Sequence, residues 1–338
     1  MAGRASAFSD PEIIRLASES FVPVTGDDWY QRRRQDAVGE FFRNVARQGP
    51  RGGTEEGTNQ GIYFFTASGK LLAYKNAGQN ADVMREVFHE AVERWNRLPA
   101  DERKAGAVDV PDIAPSDLDP RYTRGLPEGG LVVSVFTRAL QRDKQGRLET
   151  CSGDTTGGLR GFQTAYDHLW LAGEEWRSLL PREPQVGDSL PLPDEIAARI
   201  ARFHLTDNTR GEPNMWQPHE VLRREITLTV SEVTDNRVGL KLEGSALMAT
   251  DRDTEAAKRG YDAALLGTIE FDRPTGAVVR FDVAALGDTW GSGTYTRGAR
   301  PGRNPLAVVF ELAAGDRPAD KVPPQAMREP TRYFSAAR

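Results

Sequence analysis

The 338-residue chain holds one cysteine, Cys151. Counting alone therefore excludes a disulfide within the chain, a CxxC redox pair and a zinc site built on several cysteines. The chain also lacks any apolar run near the roughly 20 residues needed to span a bilayer. Its first ten residues show no apolar core followed by small residues, so no signal peptide is visible and a cytoplasmic location is expected, although a removed leader would leave the same sequence. Lysine is scarce as well, with seven of the 44 basic residues. The rest are Arg, whose planar fork suits carboxylates and phosphates, although GC-rich codon usage produces the same bias. A net charge of −5 argues against nucleic acid as the main partner, because phosphate binding needs a dense basic face. Arg32-Arg33-Arg34 accordingly reads as a solvated helix face.

Hydrophobic residues make up 38% and charged residues 28%, enough apolar material for packed cores. At this length two domains are the default. Ser9 and Glu12 have capping-box spacing and Pro11 suits a first turn, so a short helix carrying Ile13, Leu16 and Ala17 is expected there. Phe21–Val24 reads as a buried strand. Val38, Phe41, Phe42 and Val45 fall at helical spacing within 31–47. Gly61–Thr66 and Leu71–Lys75 read as a hairpin around Ser68-Gly69, and Asn80 can cap a long helix bearing Met84, Phe88, Ala91 and Trp95.

The segments FSDPEIIRLASESFVPVTGDD, GIYFFTASGKLLAYKNAG and NADVMREVFHEAVERW together resemble thioredoxin-like domains. They look like the exit from the family's active-site helix into its central strand, then its terminal hairpin, then its last helix, over about residues 8–97. Two departures matter. The opening strand–helix–strand and the CxxC have no counterpart, and Gln60 stands where the family carries its cis-proline. The resemblance therefore implies an incomplete scaffold without dithiol chemistry. The chain as a whole resembles uncharacterised thioredoxin-like proteins of planctomycete-type bacteria, which implies no activity.

Residues 98–130 carry five prolines among charged and small residues and read as a linker or surface strap. From 131 onward the expected unit is α+β. A strand is expected at Leu131–Thr137, a long Gly/Thr/Ser-rich loop at 142–165, and helices at Leu169–Leu180 and Asp194–Leu205. Beyond residue 224 the apolar period becomes two, as in Ile226, Leu228 and Val230, then Val238, Leu240 and Leu242. Further strands at 269–271, 279–283 and 307–312 complete an antiparallel meander with one buried face. The expected architecture is thus an incomplete thioredoxin-like α/β domain (1–97), a Pro-rich strap (98–130) and an α+β domain with an antiparallel sheet (131–338).

Candidate chemistry concentrates in the C-terminal region. His204 through Pro213 packs an imidazole, two carboxylates, an amide and a guanidinium into a helix end, with Trp216 and His219 just beyond. His168, His204, Asp207 and Cys151 are the candidate catalytic groups. Asn208, Arg210, Glu212, Trp216, Asp288 and Trp290 are the candidate ligand-binding groups, with Arg210 anchoring an anion. The competing reading is a self-satisfied capped turn, core histidines and an inert thiol. His89, beside Phe88, reads as structural. No HExxH or other stringent metal pattern occurs, and the lone Gly291-Ser292-Gly293 lacks a nucleotide-binding context. No metal and no particular cofactor is called. Two function classes remain open at this point. One is a non-redox binding or interaction protein for a small molecule or protein partner; the other is an enzyme acting on a small molecule at a His/Asp/Arg site, metal- or thiol-assisted.

Overall fold

The computed structural model describes residues 7–8, 10–77, 80–151, 164–315 and 317–337. It divides into two compact units, 3–124 and 125–338. The protein is mixed α and β, with a large antiparallel sheet in the second unit.

In the first unit Asp10 caps helix α1 (Pro11–Ser20), its carboxylate accepting the amide protons of Glu12 and Ile13, and the Ser9 of the expected capping box lies outside the described residues. Short α2 (Asp28–Gln31) and then α3 (Ala37–Arg47) follow, so the single helix expected over 31–47 is split, because Asp36 caps a fresh start. The hairpin β1 (Ile62–Phe65) and β2 (Leu71–Lys75) packs on α4 (Ala81–Asn96), capped by Asn80 as its sequence indicates. Ile13, Leu16, Phe64, Leu72, Met84 and Phe88 form the core. Phe21–Val24 is not a strand. Phe21 wedges edge-on between Phe64 and Phe88, but Val22 and Val24 point into solvent, 89% and 75% exposed. Among the described residues this sheet has two strands, with no central strand beside them.

The Pro-rich stretch is tied down at its far end. After the short α5 (Ala100–Arg103), Asp119 is buried, accepts the Gln35 amide proton and donates its own to Asp36. Arg121, hydrogen-bonded to Asp119, holds that carboxyl well below the usual range. The division between the two units falls at 124/125, inside the expected 98–130 strap, and one buried carboxylate fixes 119–121 to the α3 cap. Limited tryptic digestion is expected to cut at exposed Arg103 or Lys104 before any site within Ile62–Asn96. Earlier cuts within the hairpin or α4 would contradict this division.

The second unit is built on strands β3 (Leu131–Arg142), β4 (Leu148–Thr150), β5 (Thr164–Leu171), β6 (Ser189–Pro191), β7 (Val221–Val233), β8 (Arg237–Ala249), β9 (Arg259–Asp272), β10 (Val278–Gly291) and β11 (Asn304–Leu312). Their order is β6-β7-β8-β9-β10-β11-β3, with β4 and β5 both pairing to β3. The period-two pattern does what it indicates: Ile226, Leu240, Leu265, Val283, Val308 and Val135 all face one core. Gly287 lets β10 and β9 approach closely, since a Cβ there would stand 1.8 Å from the Asp262 carbonyl oxygen. Onto this face pack α7 (Asp194–Arg199) and the π-helical turn Ile200–His204 that continues it.

One expectation fails instructively. Leu169–Leu180 is not a helix; β5 runs through Leu171, and only α6 (Gly173–Arg177) is helical. Strand β5 is buried on both faces at its end, with Leu169 and Leu171 in the main core and Trp170 in a second core with Phe203, Met327 and Tyr333. A strand apolar on both faces loses its alternation, so periodicity cannot separate it from a helix.

Candidate functional site

The edge of β5 and the C-terminal segment form one polar network. The Trp170 amide donates to the Tyr333 hydroxyl at 3.0 Å, and the Trp170 carbonyl accepts from Arg199 at 3.0 Å. Side chains thus occupy the edge groups another strand would seek. Arg199, fully buried, also pairs with Glu175 and donates to the backbone carbonyls of Tyr333 and Phe334, on and beside α8 (Pro330–Phe334). Arg202, 2% exposed, donates to the carbonyls of Trp216 and Ala336. Two arginines one helical turn apart therefore hold the C-terminal segment by its backbone.

His204 is enclosed in this network. Its Nε2 lies 3.2 Å from the Tyr333 hydroxyl, and its Nδ1 lies 3.6 Å from Asp167 with no hydrogen-bond partner. Burial holds the imidazole down at about 3 and pushes the Asp167 carboxyl up to about 7, against the Gln325 amide that favours its charged form. Removing both groups from water costs each its charge. Neither reaches a described cavity, so the order Tyr333–His204–Asp167 is packed as core.

His168 sits on β5 with Tyr166 two residues away on the same face. Its Nε2 is 2.9 Å from the Tyr166 hydroxyl, which lies 3.0 Å from Ser134. His219 lies exposed in the turn Pro218–Glu220. His89, in the first unit, is half exposed beside Glu12.

The segment after the π-helical turn is folded on itself. Asp207 accepts from the Thr209 amide and hydroxyl and from Arg210 Nε at 2.7 Å. Arg210 also donates to Ser292 and to the carbonyls of Gly291 and Thr296, so its fork is saturated by protein acceptors. Glu212 pairs with Arg328. The Trp216 indole donates to the Leu205 carbonyl, and the Arg259 guanidinium lies 3.8 Å over its ring. Asp288 pairs with Arg142, and Trp290 donates to the Ala257 carbonyl beneath Arg303. Asn208 is buried, with its Oδ1 unpartnered.

A small crevice of about 20 Å³, with room for about one water, nevertheless opens where this segment meets the ends of β10 and β3. Asp207, Arg210, Trp290, Arg300 and Asn304 line it. Arg300 donates to the Leu140 carbonyl at 2.7 Å and lies 3.6 Å from the Cys151 sulfur. Unlike Arg210, it has no carboxylate partner among the described residues. Asn304 turns its amide nitrogen to the carbonyls of 300–302 and fixes that loop.

The structure thus brings Asp207, Arg210 and Trp290 to one cavity with Cys151 beside it, and leaves His168, His204, Glu212, Trp216 and Asp288 elsewhere. The predicted loop around Cys151 falls largely in 152–163, outside the described residues. Arg300 and Asn304 carry no local sequence signal. Tyr166 was legible as a same-face partner of His168, had 164–171 been read as a strand. Arg199 and Arg202 stand out in retrospect as two charges inside the apolar run Ile196–Phe203.

Among the described residues no group of three or more His, Cys, Asp or Glu is placed to hold a metal, and no helix is long and apolar enough to cross a membrane. No family model matches the chain, and comparisons with curated proteins and with solved structures likewise give no match.

Proposed function

We propose that the protein is a binding protein without dithiol chemistry, in which the first unit is a thioredoxin-like scaffold and the second takes a small anion at the Arg300 cavity. The observation that carries this reading is the part-buried guanidinium of Arg300. It lines a small crevice with only backbone carbonyls and a thiol as partners among the described residues, while the neighbouring Arg210 is neutralised by Asp207. A part-buried cation with no carboxylate partner among the described residues favours an anionic ligand such as a carboxylate or phosphate. The scaffold reading rests on the hairpin and last helix of the first unit and on the single cysteine. The alternative, an enzyme using His168, His204, Asp207 and Cys151, has less support, because His204 is enclosed and Asp207 is spent on Arg210. A cytoplasmic location and the absence of a nucleic-acid partner belong to the same proposal.

Calorimetric titration with inorganic phosphate and with malonate tests it. At least one is expected to bind, and Arg300→Gln is expected to weaken that binding about tenfold or more, the loss of one charge-assisted hydrogen bond. Absence of binding by both anions, or equal binding by the variant, would refute the anion site.

A further inference from the structure

Tyr166, His168 and Ser134 form a second constellation, away from the Arg300 cavity. In the register of β3 with β5, Ser134 lies directly opposite His168 and Phe136 opposite Tyr166. Ser134 and His168 are each 2% exposed, whereas Tyr166 is 41% exposed. Its ring packs at 5.0 Å from Phe136 and meets the His168 ring edge-on at 4.8 Å.

In the tautomer that carries its proton on Nδ1, His168 offers its Nε2 lone pair to the Tyr166 hydroxyl. Tyr166 then donates to His168, and Ser134 donates to the phenolic oxygen. Burial lowers the His168 pKa against the opposing charge of Asp320, with Arg317 acting in the same direction as burial, which favours the neutral ring.

We propose that Tyr166 is an activated phenol, a nucleophile served by His168 as general base and by Ser134 as a donor to the phenolic oxygen, which accepts acyl groups from activated acyl donors. In that step the Tyr166 oxygen forms the bond to the acyl carbon and the donor's leaving group departs. The phenolic proton passes to His168 Nε2 and then to the leaving group. No electrons are transferred. A base held at hydrogen-bond distance from its nucleophile is the arrangement such chemistry needs.

The protein carries its own control. Tyr295 is 71% exposed and its phenol has no hydrogen-bond partner among the described residues. If exposure alone governs reactivity, Tyr295 reacts first. With N-acetylimidazole at neutral pH and the acetylated tyrosines quantified by peptide mass spectrometry, Tyr166 is expected to react about tenfold or more faster than Tyr295. His168→Gln preserves a hydrogen bond to Tyr166 but cannot take the proton, and is expected to remove that advantage. The wild-type ranking is decisive on its own should the variant fail to fold. Faster acetylation of Tyr295 in the wild type, or an unchanged Tyr166 rate in folded His168→Gln, would overturn the proposal.

Discussion

Arg199→Met is expected to destabilise the second unit by about 3–5 kcal/mol, the range for breaking a buried ion pair from one side. Arg199 is fully buried, and its removal leaves the Glu175 carboxylate, 15% exposed, without its cation. It also strands the carbonyls of Trp170 and Tyr333, which have lost their donor. Those carbonyls sit at the β5 edge and on the C-terminal helix, so the variant loosens both at once. In thermal unfolding the effect corresponds to a drop of about 10 °C or more. The double variant Arg199→Met/Glu175→Leu is expected to recover part of the loss, because the stranded charge goes with it. A single-variant loss below about 1 kcal/mol would show that the C-terminal segment is held by apolar packing alone.

The second large effect depends on pH. Burial raises the Asp167 carboxyl from 3.8 to about 7, so between these values the folded protein binds a proton that the unfolded chain does not. Its contribution is fully present below about pH 4 and is lost as pH rises through 7. His204, lowered from 6.5 to about 3, works in the opposite sense, and its contribution is lost as pH falls from 6.5 towards 3. The two slopes largely cancel between pH 4 and 6.5. Asp167→Asn removes the first and leaves the second. Relative to wild type, the variant is expected to gain stability as pH rises from 4 to 8, by up to about 4 kcal/mol for a shift of roughly three units. Urea unfolding at the two pH values reads it directly. A difference between variant and wild type that is constant with pH would mean that Asp167 is charged in the folded protein.

Much of the sheet was legible because its chemistry is local. In β7 through β10 one face meets a core and the other meets water, so alternation is written into Ile226-Leu228-Val230 and Val238-Leu240-Leu242, and the turns at 234–236 and 273–276 announce themselves. The same logic misled at β5, where both faces are covered, and at Phe21–Val24, where an apolar string supplies one core residue and leaves two in solvent. Capping was readable at Asn80, which caps α4 as its sequence indicates.

The candidate site divides along the same line. That 207–212 is dense in polar groups is a property of the sequence, but whether Arg210 faces a ligand or Asp207 depends on carbonyls more than 80 residues away, at Gly291 and Thr296. Composition by itself determined the absence of paired-thiol chemistry, since one cysteine cannot form a disulfide within the chain. Periodicity determined the antiparallel meander, since burial of one face is recorded every second residue. Only the tertiary structure decided which arginine has no carboxylate partner among the described residues, where the C-terminal segment docks, and that Ser134, Tyr166 and His168 share one row of hydrogen bonds. Those outcomes depend on strand register and on contacts between residues 32 to 163 positions apart. A charged side chain looks the same in sequence whether its partner is a neighbour, a distant carbonyl or a ligand.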